Sequence, residues 1–290
     1  MRQVRIATVA FLVEDRPQSI PENVERAIRY IRISREKGAD IVCLPEMVTT
    51  ANVAPELEYY AETYPGEFTR AFRVAARDEK IHVIAPYLVR SGGRVYNQAT
   101  VINKQGEVEG FYRKVQPTGG ERRTVTPGNS LPVFKLDFGT IAVMICMDIY
   151  FAEIPRIFAF KGAEIVFWPT VSHGPTQESL RSQLLTRAMD NSLIMVESNL
   201  AGHPPYAPYS GRFRPATARI VDHNGDIIAQ TGRRHGVAFA DVDLDEVRLT
   251  SNCVLLREPD HIKEDLKSIT RLDLYGEEYL KLAKKQKRSY

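Results

Sequence analysis

Five short apolar runs recur along the chain with amphipathic segments between them, and this alternation constrains the fold more than any other feature. They are "ADIVCLPE" (39–46), "IHVIAPYLVR" (81–90), "TIAVMI" (140–145), "IVFWPT" (165–170) and "SLIMVESNL" (192–200). Runs of four to ten residues this rich in Val and Ile read as buried strands. The intervening "FTRAFRVAARDEK" (68–80), "EIPRIFAFKGAE" (153–164) and "TQESLRSQLLTRAMDN" (176–191) read as helices, the last with a stripe of Leu180, Leu184, Leu185 and Ala188.

The first strand, "QVRIATVAF" (3–11), precedes a helix with explicit boundary signals. Ser19 and Glu22 have capping-box spacing, Pro21 suits a first turn and Gly38 suits the end. Val24, Ala27, Ile28 and Ile31 supply its expected buried face. Hairpins interrupt the alternation: "VYNQATVIN" and "VEGFYRK" flank "KQGE", and two later strands flank "HNGD", where Asn224-Gly225 predicts a type I′ turn before the strand "HGVAFADVDL". Helix-separated strands mixed with hairpins predict layered α/β or α+β packing, not a simple parallel Rossmann sheet. Neither GxGxxG after a strand nor GxxxxGK[ST] occurs, which argues against a nucleotide cradle.

Composition excludes further classes. A formal net charge of +3 over 290 residues, with basic and acidic residues interleaved, gives no nucleic-acid footprint, and the basic "KLAKKQKRSY" end reads as solvated. No run approaches a membrane helix, and the N-terminus lacks the long apolar region and cleavage site of a signal peptide. The odd, scattered set Cys43, Cys146 and Cys253 does not resemble a disulfide framework, so a reducing, cytoplasmic setting is expected. Six histidines show no HExxH spacing and the cysteines no CxxC, so no metal and no cofactor are expected.

Three polar residues share one situation, each at a predicted strand end: Glu46 after "DIVCLP", Lys114 after "GFYR" and Cys146 after "IAVMI". Side chains at such ends can project into a cleft. Taken singly, Cys146 reads as buried filler, Lys114 as a surface lysine, and Glu46 either as an exposed turn residue or as a partnered carboxylate.

Read together and in order, the three sit in blocks that resemble the nitrilase superfamily of carbon–nitrogen hydrolases. The blocks are "GADIVCLPEM", "YNQATVINKQGEVEGFYRKVQPTGGERRTVTPGNSLPVF" and "GTIAVMICMDIYFAEIPRIFAFKGAEIVFWPT", with weaker matches in "RAMDNSLIMVESNLAG" and "ATARIVDHNGDIIA", spanning about residues 4–245. The resemblance implies an αββα sandwich that dimerises or assembles further. It implies a small-molecule amide as substrate, with Cys146 as nucleophile, Glu46 as general base and Lys114 stabilising the oxyanion of a thioester route. It also makes Glu121 a supporting acid beside Lys114, the alternative being an exposed loop acid. Many members have histidine where this chain has Gln116.

Cys146-Met147-Asp148 stands where nitrile hydrolases typically show Cys-Trp-Glu, which points to amides or carbamoyl compounds. Ile149, Tyr150 and Phe151 follow in place of the arginine of carbamoyl-amino-acid hydrolases, so a neutral or apolar substrate portion is expected. The backbone N–H of Met147 is a second oxyanion donor in this reading. Further pocket candidates are Tyr150, Trp168, His173 and Asn199, with ordinary core or strand-end roles as their alternatives. The loop "GHPPYAPYSGRFRP", with Arg212 and Arg214, reads as a rim or as plain surface.

Rival readings are a papain-like pairing of Cys146 with His173 or His203, an acyltransferase on the same fold, and a non-catalytic interaction module. The expected organisation is one hydrolase domain over 1–245 and an extension over 246–290, which packs on a partner subunit or folds back on its own domain.

Overall fold

The computed structural model describes residues 1–14, 16–53, 60–171, 177–202, 217–232, 235–246 and 270–285. Contacts divide the chain into two units, Met1–Thr250 and Ser251–Tyr290. The first unit runs β1 (Gln3–Val13), α1 (Ile20–Glu36), β2 (Ile41–Cys43), β3 (Glu62–Thr63), α2 (Glu67–Glu79), β4 (His82–Ser91), β5 (Arg94–Ile102) and β6 (Val108–Arg113). It continues with β7 (Phe134–Lys135), β8 (Thr140–Val143), α3 (Glu153–Phe160), β9 (Ile165–Pro169), α4 (Gln177–Asn191), β10 (Ile194–Gly202), β11 (Arg219–Val221), β12 (Ile227–Gln230) and β13 (Gly236–Asp243). The second unit contains α5 (Leu272–Lys285), whose Leu272, Tyr275, Tyr279 and Leu282 share a stripe and are exposed.

The strands follow the order β6-β5-β4-β2-β1-β10-β9-β8-β7, with β13 also on β1, β3 on β4, and β11 and β12 continuing from β10. The central pairings of β1 with β2 and β10, and of β9 with β8 and β10, are parallel, while β4-β5-β6 is an antiparallel meander. Side-chain alternation along β1 separates two interiors. Ala7, Val9, Phe11 and Val13 pack with Ala27, Tyr30 and Ile31 of α1 and with Phe72, Ala75 and Ala76 of α2. Val4 and Ile6 join Ile141, Val143, Ile165 and Phe167 of β8 and β9, together with Phe158 of α3 and Leu184 of α4. Helix, sheet, sheet and helix therefore stack as an αββα arrangement. Each fully buried side chain of the size of Phe167 or Leu184 contributes roughly 1.5–3 kcal/mol of transfer free energy.

Helix α1 begins as its sequence dictates. Ser19 Oγ accepts from Glu22 N, and the Glu22 carboxylate accepts from Ser19 N at 2.8 Å. Its buried face is rotated from the expected one: Asn23, Ala27, Tyr30, Ile31 and Ser34 are buried, whereas Val24 and Ile28 are half-buried. Asn23 turns inward because its amide donates to the carbonyls of Thr49 and Ala51.

The hairpin at Asn224-Gly225 departs from the type I′ expectation. Asp222 Oδ1 accepts from the backbone N–H groups of Asn224 and Asp226, and Gly225 N donates to Asp222 O. Only Gly225 has positive φ, at 86°, so Asn224 does not adopt the left-handed conformation a type I′ turn requires. Asn103 repeats the arrangement toward Gln105 and Glu107, with Gly106 at φ 78°. A side-chain acceptor at the start of the turn holds the right-handed conformation and leaves the reversal to glycine.

Candidate active site

Strand geometry brings the three strand-end residues of the sequence to one place. Glu46 lies three residues past β2, Lys114 directly follows β6, and Cys146 lies three residues past β8. Cys146 opens a 3-10 turn, Cys146–Tyr150, with its own φ at 47°. A non-glycine residue in the left-handed region costs of order 1–3 kcal/mol and persists only where surrounding contacts enforce it. Here Trp168 Nε1 donates to Cys146 O at 2.9 Å from β9, and the thiol side chain is half-buried.

Lys114 departs most from its ordinary behaviour, being 1% exposed. Its Nζ lies 2.8 Å from Glu46 Oε1 and 2.7 Å from Glu121 Oε2. Glu46 is 2% exposed; its Oε1 also accepts from Asn97 Nδ2 at 2.8 Å and its Oε2 from Val171 N at 2.9 Å. Glu121 accepts from Asn97 Nδ2 at 3.1 Å and from Thr118 N at 2.7 Å. Every carboxylate oxygen of this cluster has a donor, the condition under which buried charges are tolerated.

The charges shape the titration of the group. Burial works to depress the Lys114 ammonium, but Glu46, Cys146 and Glu121 overcome it and hold the ammonium above its ordinary value. Burial likewise works to raise Glu121, and the adjacent Lys114 charge with its hydrogen bond brings it below the usual carboxylate value. The Cys146 thiol is pushed up to about 12, first by burial and next by the charge of Glu46, with Lys114 opposing. At neutral pH the resting site therefore holds a thiol, a carboxylate-flanked ammonium and a strongly hydrogen-bonded Glu46.

Asp148 is 0% exposed and faces away from solvent. Its Oδ2 accepts from Tyr112 Oη at 2.6 Å and from Ile145 N at 2.8 Å, and its Oδ1 accepts from Gln116 N at 2.9 Å. The acid read from the sequence as a marker of substrate class is thus an internal structural group, and the backbone of Gln116 provides one of its bonds.

The remaining sequence candidates fall in different places. Met147 is half-buried, and Tyr150 is 43% exposed within electrostatic range of Cys146. Trp168 is buried and backs the Cys146 carbonyl. Asn199 is buried, its Nδ2 3.2 Å from Glu197 Oε1, in a network where Glu197 Oε2 accepts from Arg219 Nη1 at 2.7 Å. His173, His203, Arg212 and Arg214 lie outside the described residues. Among the described residues no group of three or more metal-ligating side chains occurs, and no helix is long and apolar enough to cross a membrane.

Sequence reasoning missed Asn97, whose amide bridges Glu46 and Glu121. A signal was present: an Asn-Gln pair inside the apolar strand "VYNQATV" must find partners, since buried amides are rarely left unsatisfied. The contribution of Val171 N carried no signal at all, because a backbone donor is set by where β9 ends.

Known proteins agree with this architecture. Residues 2–252 match the family model described as carbon-nitrogen hydrolase, and the chain belongs to that family. Among curated relatives it is 29% identical to Omega-amidase NIT2 of Xenopus tropicalis over 84% of this chain and 90% of that protein. It is 27% identical to Omega-amidase NIT2 of Homo sapiens over 77% and 83%. Among solved structures it shares the fold of an amidase from Nesterenkonia sp., with a TM-score of 0.78, 22% identity and coverage of 94% and 95%. It likewise shares that of Saccharomyces cerevisiae Nit3, with a TM-score of 0.77, 22% identity and coverage of 90% and 97%.

Proposed function

We propose that this protein is a thiol-dependent amidohydrolase that cleaves the C–N bond of a small amide through a thioester on Cys146. The single observation that carries the reading is the buried Glu46–Lys114–Glu121 cluster in electrostatic contact with a thiol at a strand-end turn. The omega-amidase relatives, and a structure of the Nesterenkonia amidase carrying acrylamide added at its active-site cysteine, support both the bond class and the nucleophile.

The steps follow from the charges. Because the thiol rests protonated, its proton passes to Glu46 as sulfur attacks the carbonyl carbon, so no free thiolate accumulates. The carbonyl oxygen takes up negative charge, which the Lys114 ammonium and the Met147 N–H stabilise; one such donor is typically worth about 3–4 kcal/mol. Collapse of the tetrahedral species expels ammonia or an amine, which takes the proton from Glu46. Water, deprotonated by Glu46, then attacks the thioester, and the carboxylic acid leaves as the thiol is re-formed. Glu121 and Asn97 fix the ammonium and the base in position throughout.

The setting we propose is cytoplasmic, with a homodimer or larger assembly in which the extension over 246–290 packs on a partner subunit. The exposed apolar stripe of α5 supports that assembly, and a truncation after Asp245 that keeps the same number of subunits in solution would refute it. The catalytic reading is tested by ammonia release over aliphatic amides, ω-amides, carbamoyl compounds and nitriles. Turnover of small amides abolished in Cys146→Ala supports it; absence of ammonia across the panel defeats it.

A further inference from the structure

Asp148 takes no part in the chemistry just described, yet its carboxylate joins the two segments on which that chemistry depends. One of its oxygens receives Ile145 N, at the residue that precedes the nucleophile, and Asp148 N returns a bond to Ile145 O at 3.0 Å. The same oxygen receives the hydroxyl of Tyr112, two residues before Lys114, and the other oxygen receives Gln116 N, two residues after it. Tyr112 and Asp148 are both 0% exposed, so neither bond competes with water. Cys146 meanwhile holds a backbone conformation, φ 47°, that needs enforcement from outside.

We propose that Asp148 is a positioning residue that clasps the Cys146 turn to the Lys114 strand, fixing the sulfur relative to the ammonium. The inference rests on the amidohydrolase reading for its effect on turnover, but the clasp itself acts on the thiol and can be read without substrate. Three donors converge on one carboxylate, whose two oxygens have acceptor sites for all of them when ionised, as at neutral pH. An asparagine of the same size must turn its NH₂ toward either Gln116 N or Ile145 N, so it gives up at least one backbone anchor. Phenylalanine at 112 removes one bond and leaves both backbone anchors.

The experiment compares the unsubstituted protein with Asp148→Asn and Tyr112→Phe, all confirmed folded by circular dichroism. It measures modification of Cys146 by methyl methanethiosulfonate against pH, followed by peptide mass, alongside kcat and KM for the best amide. With the clasp loosened, Lys114 no longer holds down the thiol as effectively. Modification at a fixed pH below the thiol's midpoint is then expected to slow threefold or more in Asp148→Asn and by less in Tyr112→Phe. kcat is expected to fall tenfold or more in Asp148→Asn while KM changes less than threefold. A lowered melting temperature with an unmoved modification profile would assign Asp148 a purely structural role and overturn the proposal. Should Asp148→Asn not fold, an unmoved profile in Tyr112→Phe overturns it equally. An unsubstituted protein without amide turnover would defeat the amidohydrolase reading alone, since the modification profiles still decide the clasp.

Discussion

Lys114 Nζ lies 2.8 Å from Glu46 Oε1, and both side chains are almost fully withdrawn from water. A lysine and a glutamate buried together are a poor route to stability, because desolvation offsets most of their attraction. In the mechanism proposed above the pair has another use: the ammonium serves a developing oxyanion and the carboxylate takes up a proton.

Removing the ammonium leaves Glu46 and Glu121 facing each other through Asn97. Lys114→Met is therefore expected to lose amide turnover and to be destabilised by about 3–5 kcal/mol, the cost of stranding a buried partner charge. Urea unfolding checks the second part; a loss below about 1 kcal/mol would mean that the carboxylates are neutral or reach water.

Glu46→Gln separates reactivity from catalysis. After burial, the Glu46 charge is the next contribution raising the Cys146 thiol. The variant is expected to react faster with iodoacetamide at pH 8 than the unsubstituted protein, while its amide turnover falls at least a hundredfold. Turnover and alkylation falling together would show that Glu46 lowers the thiol, opposite to the sign argued here.

Asp148 predicts a pH dependence of stability. Burial raises its carboxyl to about 6, against an unfolded value of about 3.9. The folded chain binds this proton more readily, so the group's stabilisation is fully present below about pH 4 and is lost as pH rises through 6. The unfolding free energy of the unsubstituted protein relative to Asp148→Asn is expected to grow by about 2 kcal/mol from pH 7 to pH 4. A difference that stays constant over that range would place the titration elsewhere.

At the start of α1, Ser19→Ala removes the hydroxyl that accepts from Glu22 N and donates to the Glu22 carboxylate, and is expected to cost about 1 kcal/mol with turnover unaffected. Thermal unfolding beside an ammonia assay measures both.

What the sequence made legible was local. The capping box at Ser19 and Glu22, the strand runs and the strand-end positions of Glu46, Lys114 and Cys146 follow from periodicity and flanking residues. The layered packing could be inferred because strands buried on both faces need covers on both sides. Tertiary closure was not legible: Asn97, Tyr112 and Val171 enter the site through pairings between segments 36 to 125 residues apart. The type I′ expectation at Asn224-Gly225 fails because Asp222 acts from outside the two central positions on which turn type is usually judged. Helical spacing alone puts Val24 and Ile28 on the buried face of α1; the two carbonyl partners that turn Asn23 inward come from residues 26 and 28 positions away and leave no local mark.

The central claim is that Cys146 carries the acyl group. Intact mass and peptide mapping after acid quench, with a slowly turned-over small amide, test it most directly. The account predicts an acyl adduct on Cys146 that is discharged by hydroxylamine and absent from Cys146→Ala. An adduct mapped to another residue, or ammonia released at an unchanged rate by Cys146→Ala, would contradict it.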